Sequence, residues 1–161
     1  VKVYFISGLA ADGRVFRHIQ LPANYEAVYL NWLRPDKDES LTNYAGRMSG
    51  QIDTTEPFYI LGLSLGGMIA AEIVRLFPQG RLILVASIPH AGHLPVYYRW
   101  MQRVRLQKLV PVRAIKTGVY LRRYFTSESK EDKEMLRQMI RDADPYFIRW
   151  SLTAVLEWQS R

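Results

Sequence analysis

The stretch Gly62-Leu63-Ser64-Leu65-Gly66 sets a lone serine between two glycines, where an apolar run ends and a helix-like pattern begins. A hydroxyl in such a place can act as a nucleophile. The spacing has a steric logic. A sharp turn from strand to helix forces the serine into a strained backbone conformation, so the residues two before and two after must lack side chains where neighbouring backbones close in. The corner then lifts the hydroxyl above the carboxyl end of a sheet and beside the positive end of a helix, where open parallel sheets bind ligands. The G-x-S-x-G pattern carries weight only when a strand enters and a helix leaves. Both are predicted here.

The chemistry open to Ser64 is attack on an electrophilic carbon. A serine is a poor nucleophile until a histidine takes its proton, and that histidine needs a carboxylate to fix its tautomer. The chain has three histidines, His18, His90 and His93. His18 lies on what reads as a surface helix and is expected to be neither base nor ligand. His90 and His93 follow the fourth predicted strand, at the carboxyl edge of the sheet, and could face a pocket. Glu72 is the only acid between Ser64 and those two. It lies about 12 Å along the outgoing helix at 1.5 Å per residue and is expected to face solvent. Asp36 and Asp38 flank Lys37 in a charged turn and read as solvated, and Asp12 follows the first strand. Glu131, Asp132, Glu134, Asp142 and Asp144 fall on polar helix faces or at a cap. None of these acids pairs with a histidine by spacing.

The elements that must position Ser64 follow from periodicity and punctuation. "VKVYFIS" reads as a strand stopped by Gly8, "EAVYLNW" as a second closed by Pro35, "FYILGL" as a third and "RLILVAS" as a fourth. From Ser40, a good N-cap, Leu41, Tyr44, Ala45, Met48 and Ile52 recur at helical spacing. "LGGMIAAEIVRLF" is a helix ended by Pro78 and Gly80. Strands alternating with helices imply a parallel sheet with helices on both faces, the α/β class. After Ile88 the character becomes helical, aromatic and basic. Met135, Leu136, Met139 and Ile140 form one stripe, and Asp144-Pro145 opens the next helix. Residues 1–88 are therefore expected to form the sheet domain and 89–161 a helical appendage.

Composition bounds what else the chain could be. Its 161 residues suit one domain, and 48% apolar with 23% charged residues describe an ordinary globular protein. There is no cysteine, which excludes a thiol nucleophile and disulfides and fits a reducing, cytoplasmic setting. The apolar run from Phe58 to Ala71 is shorter than the ~20 residues of a membrane span, so a soluble protein is expected. The net charge of +7 is uneven: residues 1–94 carry eight basic and eight acidic side chains, residues 95–161 fourteen and seven. The excess is scattered rather than gathered in a run, which favours a solvated helical surface over nucleic acid as partner. The glycine-rich start has neither G-x-G-x-x-G nor a Walker lysine, which argues against a nucleotide. No ligand spacing suggests a metal.

Residues Val1 to about Ile88 resemble the α/β-hydrolase superfamily, especially its small single-domain members with a helical lid. "FISGLAADGRVF" is similar to the segment contributing to the oxyanion hole, "GLSLGG" to the nucleophile elbow, and residues 89–161 to the lid that follows the sixth strand of the full sheet. The resemblance implies Ser64 as nucleophile, with the backbone N–H groups of Leu9 and Leu65 as oxyanion donors and no metal or cofactor. Many relatives have His-Gly where this chain has Ser7-Gly8, and a serine cannot reproduce the imidazole's contacts. The implied reaction is hydrolysis of a small, largely apolar carboxylic ester through an acyl-enzyme. Tyr97, Tyr98, Trp100, Met101, Trp150 and Trp158 suggest an apolar, aromatic-lined pocket, although such residues at helical spacing are more often core than ligand contacts.

In that family the acid and histidine follow the serine on two further strands. The resemblance therefore implies a C-terminal part beyond Arg161, and the uniformly apolar "LILVA" would otherwise form an exposed sheet edge. Two other classes stay open: a non-catalytic binding protein on the same fold, and a basic adaptor for nucleic acid or membrane surfaces. Lyase and peroxidase chemistry are also run on this framework.

Overall fold

The computed structural model describes residues 1–94, 111–114, 116–117 and 129–159. Four strands, β1 (Lys2–Ile6), β2 (Glu26–Tyr29), β3 (Phe58–Leu63) and β4 (Gly80–Val85), pair in parallel in the order β2-β1-β3-β4. The register sets Phe5 opposite Tyr29 and Leu61, and Leu63 opposite Val85. Because strand side chains alternate, β1 feeds two cores. Tyr4 and Ile6 join Phe58 and Ile60 on one face, while Val3 and Phe5 join Leu61 and Phe16 on the other.

The first face is covered by α1 (Leu41–Met48) and α2 (Leu65–Leu76), which bury Leu41, Tyr44, Ala45 and Met48 and the stripe Ile69, Ala70 and Ile73. Ser40 caps α1 by accepting the Asn43 N–H at 3.2 Å, as its sequence position predicts. The helix stops at Met48, so Ile52 follows a short 3-10 turn instead of extending it. On the second face the 3-10 helix Gly13–Phe16 brings Phe16 to 5.0 Å from Phe5, ring to ring.

Two later helices complete the described chain, α3 (Lys130–Asp142) and α4 (Pro145–Leu156). Asp144 caps α4 by accepting the Tyr146 N–H at 2.9 Å, with Pro145 at the first position, where its missing N–H costs nothing. Phe147, Trp150, Ala154 and Trp158 share one core with Tyr4, Ile60 and Tyr44. Trp150 lies 4.4 Å from Tyr44 ring to ring and donates its indole N–H to the Glu39 carbonyl at 2.8 Å. Trp150 and Trp158 are thus buried packing residues and not the walls of an open aromatic pocket. Tyr97, Tyr98, Trp100 and Met101 lie outside the described residues.

Glu72 overturns an expectation. It is only 5% exposed instead of facing solvent. Its carboxylate accepts from Thr42 Oγ1 at 2.9 Å, from the Trp158 indole N–H at 3.0 Å and from Arg75, whose guanidinium also donates to the Pro89 carbonyl at 2.7 Å. A buried carboxylate is tolerated only when charge and hydrogen bonds compensate its lost hydration. Here that compensation ties α1, α2, the segment after β4 and the end of α4 to one side chain.

The start of α3 is held from the far side of the sequence. Arg17 reaches Glu131 at 3.1 Å and Asp132 at 2.7 Å, and His18 Nε2 lies 3.1 Å from Asp132 Oδ1. The Ser129 hydroxyl, the His18 ring and the Arg17 charge hold the Asp132 carboxyl well below the usual aspartate range. A depressed folded-state value stabilises the protein above the unfolded value, near ~3.9, and that contribution is lost as pH falls through the folded one. Amide exchange in the first turn of α3 is therefore expected to be flat from pH 7 to about pH 4 after correction for intrinsic rates, and to rise only in stronger acid. A rise already complete near neutrality would remove Asp132 from this role. Among the described residues, no helix is long and apolar enough to cross a membrane.

Candidate active site

Ser64 occupies the corner between β3 and α2 at φ 52° and ψ −116°, and it is exposed. Few non-glycine residues adopt such angles; they belong to the first central position of a type II′ turn, where glycine dominates. The surrounding glycines leave no alternative. A Cβ at Gly62 would stand 2.4 Å from Gly67 Cα, and one at Gly66 would stand 2.3 Å from the carbonyl oxygens of both Ile6 and Ser7. The pattern read from sequence is therefore a packing requirement at both flanks.

Hydrogen bonds hold the corner. The Ser64 N–H donates to the Val85 carbonyl at 2.9 Å, prolonging the β3–β4 ladder by one residue. The Ser64 carbonyl accepts from the N–H groups of Gly67 at 3.0 Å and Met68 at 3.3 Å, and from Ser87 Oγ at 2.6 Å. Ser87 was not singled out by sequence reasoning. The only available signal was a hydroxyl residue just past the fourth strand, where Ala86 turns at φ 47°. With the main chain fixed, the Ser64 hydroxyl makes no hydrogen bond among the described residues.

The loop after β1 lies directly against this corner: a Cβ at Gly8 would be 3.5 Å from Ser64 Cβ. Neither the Leu9 N–H nor the Leu65 N–H has an acceptor among the described residues. Leu65 opens α2, whose first-turn N–H groups lack intrahelical partners and carry the positive end of the helix dipole. Ser7 donates its Oγ–H to the Ala11 carbonyl at 2.8 Å. That is a loop-supporting contact of a different kind from the one an imidazole would make.

The histidines are elsewhere engaged. His90 Nδ1 accepts the Gly92 N–H at 2.9 Å, which leaves the neutral ring's proton on Nε2. A general base for serine needs the opposite arrangement, with Nδ1–H held by a carboxylate and Nε2 open. His93 stacks edge-on to His90 at 6.1 Å, and His18 faces Asp132. Among the described residues no histidine hydrogen-bonds Ser64. Of the acids, Asp12 is held below its ordinary range by its hydrogen bonds from the Arg14 side chain, and Asp36 and Asp38 are exposed.

A cleft of about 360 Å³ is walled by Ala10 and Ala11 of the loop after β1, by Trp32, Leu33 and Pro35, and by Met139 and Phe147. Asp12, Arg14, Arg34, Asp142 and Asp144 supply its charged groups, and Ser64 does not line it.

A parallel sheet with this strand order, a serine at a positive-φ corner between β3 and α2, and two later helices over the loop after β1 define the α/β-hydrolase fold. Solved structures carry the same fold. The chain matches a thermophilic esterase from Thermogutta terrifontis with a TM-score of 0.73 at 17% identity over 99% of its length. It matches MenH from S. aureus with 0.67 at 15% over 95%, and a hydrolase from Pseudomonas aeruginosa with 0.68 at 16% over 98%. It spans 64%, 65% and 64% of those three chains, respectively. No protein-family model matches the sequence, and neither does any curated protein.

Proposed function

We propose that this chain supplies the nucleophile and the oxyanion donors of a serine hydrolase acting on a small, largely apolar carboxylic ester. The observation that carries this reading is the exposed, unpartnered Ser64 hydroxyl on a strained corner, with the N–H groups of Leu9 and Leu65 also without acceptors among the described residues. Strain of this kind persists only where the surrounding structure over-determines it, and it clusters at functional sites. The likeness in fold to an esterase and a hydrolase supports the same choice.

Ser64 Oγ attacks the ester carbonyl carbon while a histidine takes the hydroxyl proton. The carbonyl oxygen, now anionic, is held by the two N–H groups. Collapse expels the alcohol, which leaves with that proton, and water then releases the acid by the same route. The base and its carboxylate are not assigned among the described residues: His90 Nδ1 accepts the Gly92 N–H, His18 faces Asp132, and His93 makes no hydrogen bond to Ser64 there.

The test is a fluorophosphonate probe applied to the full-length gene product. Labelling is expected on the peptide containing Ser64, and none in a Ser64→Ala variant. Absence of labelling, together with tight retention of a small molecule in the cleft, would instead mark a non-catalytic binding protein on this fold. Salt-sensitive binding to nucleic acid or anionic vesicles, indifferent to Ser64, would mark an adaptor.

A further inference from the structure

We propose that Ser7 and Trp32 act together as positioning residues for the oxyanion loop, by donating to one carbonyl, that of Ala11. The inference rests on the reading of the Leu9 N–H as an oxyanion donor. The loop has an intrinsic problem. Ala10 sits at φ 58°, in the left-handed region where a Cβ crowds the following carbonyl oxygen. Something outside the loop must hold it there.

The local turn alone is thin support: the Ala11 N–H donates to the Gly8 carbonyl at 3.1 Å. The Ala11 carbonyl, by contrast, takes two side-chain donors, Ser7 Oγ at 2.8 Å and the Trp32 indole N–H at 3.0 Å. A carbonyl oxygen has two lone pairs, and both are used. One donor would satisfy the group, so the second adds direction rather than satisfaction. Two donors from different parts of the chain fix the carbonyl's orientation, and with it the peptide planes back to Leu9.

Each donor is itself fixed. Ser7 is 3% exposed, at the end of β1. The Trp32 ring lies 4.8 Å from that of Phe147 on α4 and 6.4 Å from that of Tyr44 on α1.

Trp32→Phe keeps an aromatic ring near Phe147 but removes the N–H together with part of the indole's packing surface, whereas Ser7→Ala deletes only the hydroxyl and is the cleaner of the two. In the full-length gene product, each is expected to slow fluorophosphonate inactivation about tenfold at unchanged inhibitor affinity. The double variant is expected to lose about a hundred- to a thousandfold, the effect of losing one oxyanion donor. Amide exchange at Ala11, whose N–H donates to the Gly8 carbonyl, is expected to rise about tenfold in each single variant, with α2 unchanged. Ser40→Ala, which removes the N-cap of α1 and touches neither donor, should lower stability without slowing inactivation, separating positioning from general loosening.

Unchanged exchange at Ala11 in both single variants overturns the proposal, whatever the activity. Faster exchange with unaltered inactivation also overturns it, by showing that the loop is held but does not serve the oxyanion. If the unmodified protein shows no labelling at all, the hydrolase reading falls, while the exchange data still decide whether the two donors hold the loop. Trp32 is half-buried, so Trp32→Phe alone carries the test if Ser7→Ala does not fold.

Discussion

Replacing Ser64 by glycine is expected to abolish fluorophosphonate labelling and to raise the melting temperature, by roughly 2–4 °C for each net kcal/mol of relieved strain. The two effects have one cause. At φ 52° and ψ −116° the serine holds its Cβ where L-residues rarely sit, at a cost of about 1–3 kcal/mol. Glycine adopts the same angles without that cost, and part of the gain is offset by its greater freedom in the unfolded chain, worth about 0.4–1 kcal/mol. Ser64→Ala is the control. It removes the hydroxyl but keeps Cβ, so it should lose labelling with no comparable gain in stability. Thermal unfolding of the three proteins separates strain from chemistry. Equal midpoints for the glycine and alanine variants would show that the corner stores no strain, and the case for a functional site would lose its main physical support.

How much of this was legible follows from what kind of interaction each feature depends on. The corner was legible because it is local. Gly62 and Gly66 close on backbone supplied by α2 and by the end of β1, so the constraint appears as fixed spacing around Ser64. The caps at Ser40 and Asp144 were legible for the same reason, since each bonds within three residues of itself.

Glu72 was not. Its partners Thr42 and Trp158 stand 30 and 86 residues away, and nothing in the periodicity of α2 distinguishes a carboxylate pointing at water from one pointing at an indole. Trp32 and Ser87 were hidden in the same way. Each acts through a single hydrogen bond to a backbone carbonyl far along the chain, which leaves no compositional trace. The aromatic residues of α4 left two readings open, because an apolar stripe looks alike whether it faces a cavity or a neighbouring helix. Only the positions of Tyr44 and Trp32 show that it faces a helix and a loop.

Gly66→Ala is expected to be the most destabilising single substitution at the site, by at least about 4 kcal/mol, and to leave little folded protein. The added Cβ would lie 2.3 Å from the carbonyl oxygens of Ile6 and Ser7, a separation real Cβ atoms essentially never show. The obstruction is backbone, so no rotamer change relieves it, and overpacking against an immovable wall exceeds the usual cost of an extra methyl. Relief would require β1 and α2 to separate, yet β1 is paired on both sides and α2 begins at the very corner in question. The consequence reaches the chemistry. Ile6 and Ser7 lead directly into Gly8 and Leu9, so the contact that excludes a methyl group at Gly66 also sets how closely the loop after β1 approaches Ser64. Urea unfolding compared with a Gly46→Ala variant, where an added Cβ meets nothing within 4 Å, measures the effect. Gly46→Ala should be neutral or stabilising within the helix, by up to about 1 kcal/mol. If Gly66→Ala unfolds at the same denaturant concentration as Gly46→Ala, β1 and α2 are not in close contact, and Ser64 and the loop after β1 are not held together as described.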